Sequence, residues 1–216
     1  WSVNYADQYS LDSSLLFAQA AADYARESNA ISKLAKAEYS IGYAYDLNGD
    51  LVSAIEHYEN SRSHYEILDD KTEVANCMNA KGVAAYFKGD FDLALEYYLP
   101  TIEYCEKNGI LSVLANVLNN TGVIYRITGK NNEAISIYLK TLALSQKSEN
   151  VNMVGSSYHN LGVAYNFAGD PIRSLAYLDS AIFIYSQMGD DFEVGRSTIA
   201  QGETYYLSLK DYPRAR

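Results

Sequence analysis

Glycine recurs with a period of forty along this chain of 216 residues. The first series is Gly42, Gly82, Gly122, Gly162 and Gly202, and a second series follows seven residues later at Gly49, Gly89, Gly129 and Gly169. A small residue recurs five positions after each glycine of the second series, and a large apolar residue follows it four positions later, as Ala134 and Tyr138 do after Gly129. A fixed period of this length indicates a chain built from stacked copies of one supersecondary unit.

Each block of forty residues has the pattern of two helices. In one block, Leu118, Gly122 and Tyr125 recur at spacings of three and four, which is the stripe of a helix, and the segment at Gly129 interrupts that stripe as a turn. Ala134 then begins a second stripe. A glycine inside a helix costs about 1 kcal/mol relative to alanine. Its recurrence at one position therefore predicts that the paired helix approaches closely there.

A single helix hairpin cannot bury its apolar stripe alone, whereas stacked hairpins can. We therefore predict an all-α fold, an α-solenoid of stacked antiparallel helix hairpins, in which the whole chain, residues 1–216, is one array. The repeats are predicted at 35–74, 75–114, 115–154 and 155–194, between partial repeats at 1–34 and 195–216. The first partial repeat is predicted to hold the end of one helix, from Trp1 to about Asp7, and a second helix from Ser14 to Ser28. We expect a fragment of a longer protein, because neither end has the polar surface of a cap.

The composition argues against several classes of partner. The chain has 17 basic and 27 acidic residues and a net charge of −10, with no cluster of Lys or Arg, so nucleic acid is not expected to bind. No apolar stretch approaches the roughly 18 residues of a membrane span, so no membrane insertion is expected. The cytoplasm is the favoured compartment, with the periplasm as the alternative if a signal peptide has been removed. Cys77 and Cys105 are expected to be buried free thiols, with a disulfide between them as the alternative.

The motifs of common enzyme classes are missing from the sequence. We find no glycine-rich phosphate loop, no His-Glu-x-x-His motif and no nucleophile elbow. The chain is therefore predicted not to be an enzyme, and no cofactor or metal ion is expected.

The recurring columns resemble the tetratricopeptide repeat (TPR), whose pattern is matched by Leu161-Gly162, Tyr165, Gly169, Ser174, Leu178 and Ala181. The resemblance covers essentially the whole chain and implies a right-handed superhelix. The ordinary TPR period is 34 residues, so a period of forty is similar to long-repeat members such as kinesin light chains, LGN-type polarity proteins and Rap-type peptide sensors. The chain also resembles the N-terminal TPR regions of bacterial sensor kinases and regulators. It departs from the pattern at Lys81, Ala85 and Leu209.

The resemblance implies that the first helix of each hairpin lines a concave groove that contacts a ligand. The positions carried over as peptide-binding candidates are Asn76, Asn79, Tyr86, Asn116, Asn119, Asn120, Arg126, His159, Asn160, Asn166 and Arg196. An Asn amide offers a donor and an acceptor, which suits the backbone of an extended peptide. The alternative is that these are only polar residues tolerated on a wet surface.

The expected function is that of a non-catalytic protein-binding or peptide-binding TPR domain, as the sensory or scaffold part of a bacterial signalling or regulatory protein. The alternative is a structural module for self-association of a larger regulator, whose groove binds the regulator's own chain. At the C-terminal end, Ile199, Tyr205 and Leu207 present an apolar face. This face is expected either to pair with another molecule, as in a homo-oligomer, or to be covered by a neighbouring segment.

Overall fold

One residue in the left-handed backbone region ends each of the nine helix–helix turns described, and these residues are spaced by twenty. They have φ between 50° and 82° and are Asn29, Gly49, Asp69, Gly89, Gly109, Gly129, Glu149, Gly169 and Gly189. In six of these turns, the next residue caps the helix that follows, because its side chain accepts a hydrogen bond from the backbone N–H three residues later. These capping residues are Asp50, Asp70, Asp90, Asn150, Asp170 and Asp190. The Gly-Asp pairs of the sequence therefore end one helix and begin another.

The computed structural model describes residues 5–209, which form ten α-helices and no strand. The helices are α1 (Tyr5–Glu27), α2 (Ile31–Leu47), α3 (Leu51–Ile67), α4 (Lys71–Phe87), α5 (Phe91–Asn108), α6 (Leu111–Ile127), α7 (Asn131–Lys147), α8 (Val151–Phe167), α9 (Pro171–Met188) and α10 (Asp191–Glu203), and a π-helical segment, Thr204–Leu209, follows. The first helices of successive hairpins, from α2 to α10, begin forty residues apart. The predicted all-α fold of helix hairpins is confirmed.

Helix α1 differs from the expectation for the first partial repeat. The sequence pattern predicts a break between about Asp7 and Ser14, but α1 is continuous from Tyr5 to Glu27. The intervening residues include no glycine and no proline, so nothing in them ends a helix. The separate helix predicted from Trp1 to about Asp7 is therefore wrong where it falls on described residues, and Trp1–Asn4 lie outside them.

The chain divides into two compact units, Trp1–Leu114 and Ala115–Arg216. In the first unit, α1 packs against α2, α2 against α3, α3 against α4 and α4 against α5. In the second unit, α7 to α10 pack in the same sequential manner, and α8 also contacts α10. The single array proposed for residues 1–216 stays a prediction.

The glycine column marks close helix packing. A Cβ atom added to Gly122 would lie 2.5 Å from Cε1 of the Tyr138 ring, and one added to Gly162 would lie 2.5 Å from Cγ of Leu178. Tyr138 and Leu178 are fully buried. The second helix of the hairpin therefore occupies the space that any larger residue would need, as the recurrence of glycine predicts.

Two ionic contacts bridge helices in the first unit. The carboxylate of Glu38 is buried and accepts hydrogen bonds from Arg26 Nη2 and from His57 Nδ1, each at 2.7 Å. Lys81, which departs from the TPR pattern, donates to Glu59 Oε2 at 2.6 Å. Both contacts pair charges that would otherwise be costly to bury, and the second explains how a lysine is accepted at an apolar position of the repeat.

Cys77 and Cys105 are both buried and free, so the disulfide alternative is not realised. The Cys77 thiol donates to Ser61 Oγ at 3.3 Å. Burial raises the pKa of each thiol to about 11, which keeps both protonated at neutral pH. None of the described helices is at once long and apolar enough to cross a bilayer.

Candidate functional site

Two asparagines join neighbouring first helices in the second unit. Nδ2 of Asn160 on α8 donates a hydrogen bond of 2.6 Å to Oδ1 of Asn119 on α6. Both side chains are partly exposed, and no residue described by the structure accepts a bond from Nδ2 of Asn119. Two N–H groups of Asn119 and the Oδ1 acceptor of Asn160 are therefore left for a ligand.

An open cleft of about 390 Å³ lies beside this pair, and we call it the α6–α8 cleft. Its apolar lining is Ala115 and Met153, and its polar lining is Asn116, Asn119, Thr141, Asn150, Asn152, Ser156 and Ser157. None of these side chains is charged. Most ligand pockets of this size are lined mainly by apolar residues, so the chemistry of this cleft favours a polar and uncharged group.

The hydroxyl groups of the cleft are already engaged by the protein. Thr141 Oγ1 donates to the carbonyl of Ile137 at 3.0 Å, and Ser157 Oγ donates to the carbonyl of Met153 at 2.8 Å. Ser156 Oγ lies 2.9 Å from the Tyr185 hydroxyl. Hydrogen bonding to a ligand therefore falls mainly to the Asn amides.

The amides at the edge of the cleft differ in what they already bind. Asn150 Oδ1 caps α8 by accepting a hydrogen bond of 3.1 Å from the N–H of Met153. The side-chain N–H groups of Asn150 are therefore left to bind a ligand. Asn116 and Asn152 are exposed. Together with Asn119 they give the cleft four amide side chains that can bind a polar group from several directions.

His159 does not have the exposed position expected of a groove residue. It is 7% exposed, and its Nδ1 lies 3.0 Å from Ser197 Oγ on α10. Burial and the charges of Arg196 and Arg126 lower its pKa to about 4, so the ring is neutral at neutral pH. Because the small Ser197 leaves room for the ring, His159 packs between α8 and α10. Its contact with a peptide stays a prediction.

The other candidates of the second unit stay near the surface. Arg126 lies over the Phe167 ring, 5.8 Å from its centroid, and Arg196 donates to Glu193 at 2.9 Å. Asn120 and Asn166 are partly exposed and do not line the α6–α8 cleft. The structure therefore brings Asn116, Asn119 and Asn160 together, with the two arginines as separate surface charges.

Three candidates lie on α4 in the first unit. Asn76 Nδ2 donates to Glu73 at 3.2 Å, and Oδ1 of Asn79 is buried without a hydrogen-bond partner. The Tyr86 ring packs against Phe87 and Phe91 with centroids 5.6 and 5.8 Å away. The role of these residues in binding stays a prediction.

Sequence reasoning missed most of the cleft. It identified Asn116 and Asn119 but not Thr141, Asn150, Asn152, Met153, Ser156 or Ser157. The forty-residue register offered a signal for Ser156, which occupies the position of Asn116 one repeat later. Asn150 occupies a capping position, where its residue type is already explained by the helix start. Among residues 5–209, no group of three or more His, Cys, Asp and Glu side chains is placed to hold a metal ion.

Comparison with known proteins places this geometry in a family. The BtubC (BKLC) structure from P. vanneervenii superimposes with a TM-score of 0.83 at 21% identity, over 95% of this chain and 86% of that one. The TPR-sensor protein of the signal transduction ATPase with numerous domains (STAND) class from Pyrococcus horikoshii has a TM-score of 0.73 at 18% identity, over 86% of this chain and 29% of that one. The apo form of RapI has a TM-score of 0.73 at 15% identity, over 94% and 59%.

These likenesses show the fold. The chain spans less than two thirds of the length of the last two structures. No curated protein matches it by sequence. The family model described as "Tetratricopeptide repeat" matches residues 33–107 and 113–187, which is more than half of the chain. The chain therefore belongs to the tetratricopeptide repeat family.

Proposed function

We propose that this chain is a non-catalytic TPR domain that binds an extended peptide segment of another protein along α6 and α8. The observation that carries this proposal is the Asn119–Asn160 hydrogen bond of 2.6 Å beside an open polar cleft. A peptide unit presents one N–H donor and one C=O acceptor. The free N–H groups of Asn119 and the free Oδ1 of Asn160 complement these two groups.

The mutual bond also favours binding on energetic grounds. Asn side chains that are held in place before a ligand arrives lose less conformational entropy when it binds. The bond at 2.6 Å holds both amides across two helices. The charges of Arg126 and Arg196 both act on His159, the neighbour of Asn160 in the chain, and would add selectivity for the charge of the peptide.

The names of similar structures support a signalling role. One is a signal transduction ATPase with a TPR sensor, and another is a Rap protein complexed with Competence and Sporulation Factor, with a TM-score of 0.65 at 14% identity. We therefore assign this chain to the sensory or scaffold part of a bacterial signalling or regulatory protein. Another similar structure is named aspartyl phosphate phosphatase F from Bacillus subtilis, so the lack of enzymatic activity stays a prediction.

The test is a comparison of peptide binding by the parent and by the triple variant Asn119→Ala, Asn120→Ala and Asn160→Ala on an array of extended peptides. Each lost amide bond that is desolvated in the complex should cost about 1–3 kcal/mol of binding free energy. The control is the double variant Asn60→Ala and Asn132→Ala, in exposed asparagines on the second helices α3 and α7. Circular dichroism should show the same helix content in all three proteins. Equal binding by parent and triple variant would exclude this site.

Self-association is the second candidate, and exposed apolar residues on α10 and just beyond it favour it. Phe192 and Ile199 on α10 and Leu207 just beyond it are each more than half exposed. Their apolar area would be removed from water by a second copy of the chain. Sedimentation equilibrium of the parent and of a Phe192→Ser, Ile199→Ser variant tests this. A parent that stays monomeric at high concentration would contradict self-association through this face.

A further inference from the structure

The two gaps between neighbouring first helices in the second unit are filled differently. Between α8 and α10, the ring of His159 reaches Ser197 Oγ at 3.0 Å. Between α6 and α8, the same two register positions hold Asn119 and Ser157, and a cleft of about 390 Å³ remains. Asn119 is shorter than a histidine, and its Oδ1 is bound by Asn160. The shorter Asn119 therefore leaves space between α6 and α8 at the position where the ring of His159 fills the space between α8 and α10.

The lining of this cleft excludes two kinds of ligand group. No charged side chain lines it, so an ionised group entering it would lose water without gaining a countercharge. An apolar group would cover the amides of Asn116, Asn119 and Asn152 and leave them without hydrogen bonds, which costs free energy for each amide covered. A group that both donates and accepts has neither disadvantage.

We propose that the α6–α8 cleft is a specificity subsite for one Asn or Gln side chain of a bound peptide, which rests on the peptide-binding function proposed above. A primary amide has two donor N–H groups and one acceptor oxygen, and an Asn amide on the wall presents the same groups in return. A Ser or Thr hydroxyl has one donor and lies close to the backbone, so it would reach fewer of the wall amides. The peptide backbone lies on Asn119 and Asn160, and the selected side chain enters the cleft between Asn116 and Asn152.

The test changes the polarity of the wall and leaves the backbone contacts in place. Asn116 and Asn152 are exposed, so the double variant Asn116→Leu and Asn152→Leu should fold, because Leu favours helix more than Asn does. The matched control is Asn60→Leu and Asn132→Leu, in exposed residues that do not line the cleft. The probe is a phage-displayed library of random dodecapeptides, selected separately on each protein. Circular dichroism verifies folding of every variant before selection.

The expected result is enrichment of Asn or Gln at one fixed position in peptides selected by the parent and by the control. Peptides selected by the Leu variant should carry Leu or Met at that position instead. A synthetic peptide from the parent selection should lose about tenfold in affinity for the parent when its Gln is replaced by Leu, and the Leu variant should reverse this preference.

The remaining outcomes separate the two proposals. If the Leu variant selects the same Asn or Gln as the parent, or if the parent selects acidic or apolar residues there, the subsite is overturned while peptide binding stands. If the parent enriches no more peptides than an Asn119→Ala, Asn160→Ala variant, peptide binding at this face is overturned and the subsite with it.

Discussion

Asn160 and Asn119 bind each other across two helices, with Nδ2 of the first donating to Oδ1 of the second at 2.6 Å. They are forty-one residues apart, so the bond runs diagonally between neighbouring repeats. The sequence pattern predicts Asn119, Asn120 and Asn160 as peptide-binding candidates and does not predict a bond between any two of them. Because two of the three are already joined, they present one fixed pair of amides rather than three separate ones.

We expect Asn119 and Asn160 to be coupled in folding stability. In a double-mutant cycle with Asn119→Ala and Asn160→Ala, the coupling free energy should be about 0.5–1.5 kcal/mol, the net contribution of one hydrogen bond. Urea unfolding of the four proteins measures it. The control cycle pairs Asn160→Ala with Asn116→Ala, because Asn116 makes no described bond to Asn160, and its effects should add. Additivity in both cycles would contradict the bond.

The glycine column gives a second prediction, based on two glycines in helix interiors. Gly122→Ala should destabilise the fold by about 1–3 kcal/mol, because the new Cβ would lie 2.5 Å from the buried Tyr138 ring. Gly195→Ala on α10 should stabilise by about 0.5–1 kcal/mol, because nothing lies within 4 Å of its Cβ position and alanine favours helix. Thermal unfolding measures both. Changes of the same sign would show that helix propensity, rather than close packing, decides these positions.

The repeat could be predicted from sequence because its determinants are local and periodic. Gly42, Gly82, Gly122 and Gly162 mark the close helix contacts, and each contact recurs at the expected position. The finer period of twenty was less visible, since the left-handed turn position holds Asp69 and Glu149 as well as glycine. The break predicted before Ser14 failed because no turn residue supports it.

The left-handed turn positions give a third prediction. Glu149 has φ of 55°, a conformation that costs a residue with a Cβ about 1–2 kcal/mol relative to the right-handed one. Glu149→Gly should therefore stabilise the folded chain by about 1 kcal/mol. The conformational entropy that glycine adds to the unfolded chain offsets part of this gain. Chemical denaturation measures this difference.

The matched variant is Gly129→Ala, twenty residues earlier at the same turn position. Gly129 has φ of 76°, and a Cβ there would meet nothing within 4 Å, so only backbone conformation opposes the change. It should destabilise the protein by about 1 kcal/mol. A neutral result for both variants would mean that these turns relax to another conformation at no cost.

The candidate site could be predicted only in part, because its details depend on contacts between repeats. The register led to Asn116 and Asn119 on α6, which line the cleft, and their contact with a peptide stays a prediction. It could not show that His159 is buried, since that depends on the size of Ser197 on the next first helix. A side chain's position in a repeat gives its direction, whereas its burial depends on the residue that faces it.

The buried His159 gives the last prediction, a dependence of folding stability on pH. Its pKa is about 4 in the folded chain against 6.5 for an ordinary histidine, because of burial first and then the charges of Arg196 and Arg126. Between these two pH values the unfolded chain binds more protons than the folded chain, so stability falls as pH is lowered. The stability that the neutral His159 ring contributes is fully present above pH 6.5 and is lost by about pH 4.

A pKa difference of this size corresponds to about 3 kcal/mol of stability. The variant His159→Asn places at this position the residue that α6 has at the same register, and it removes the titrating group. Urea unfolding of both proteins at pH 7, 5.5 and 4.5 should show a steeper loss of stability in the parent, while the carboxylates common to both contribute equally. Since the smaller Asn also leaves a cavity, the variant should be less stable at pH 7, and the comparison rests on the slope with pH. Parallel slopes would show that His159 takes up its proton in the folded chain as readily as in the unfolded one.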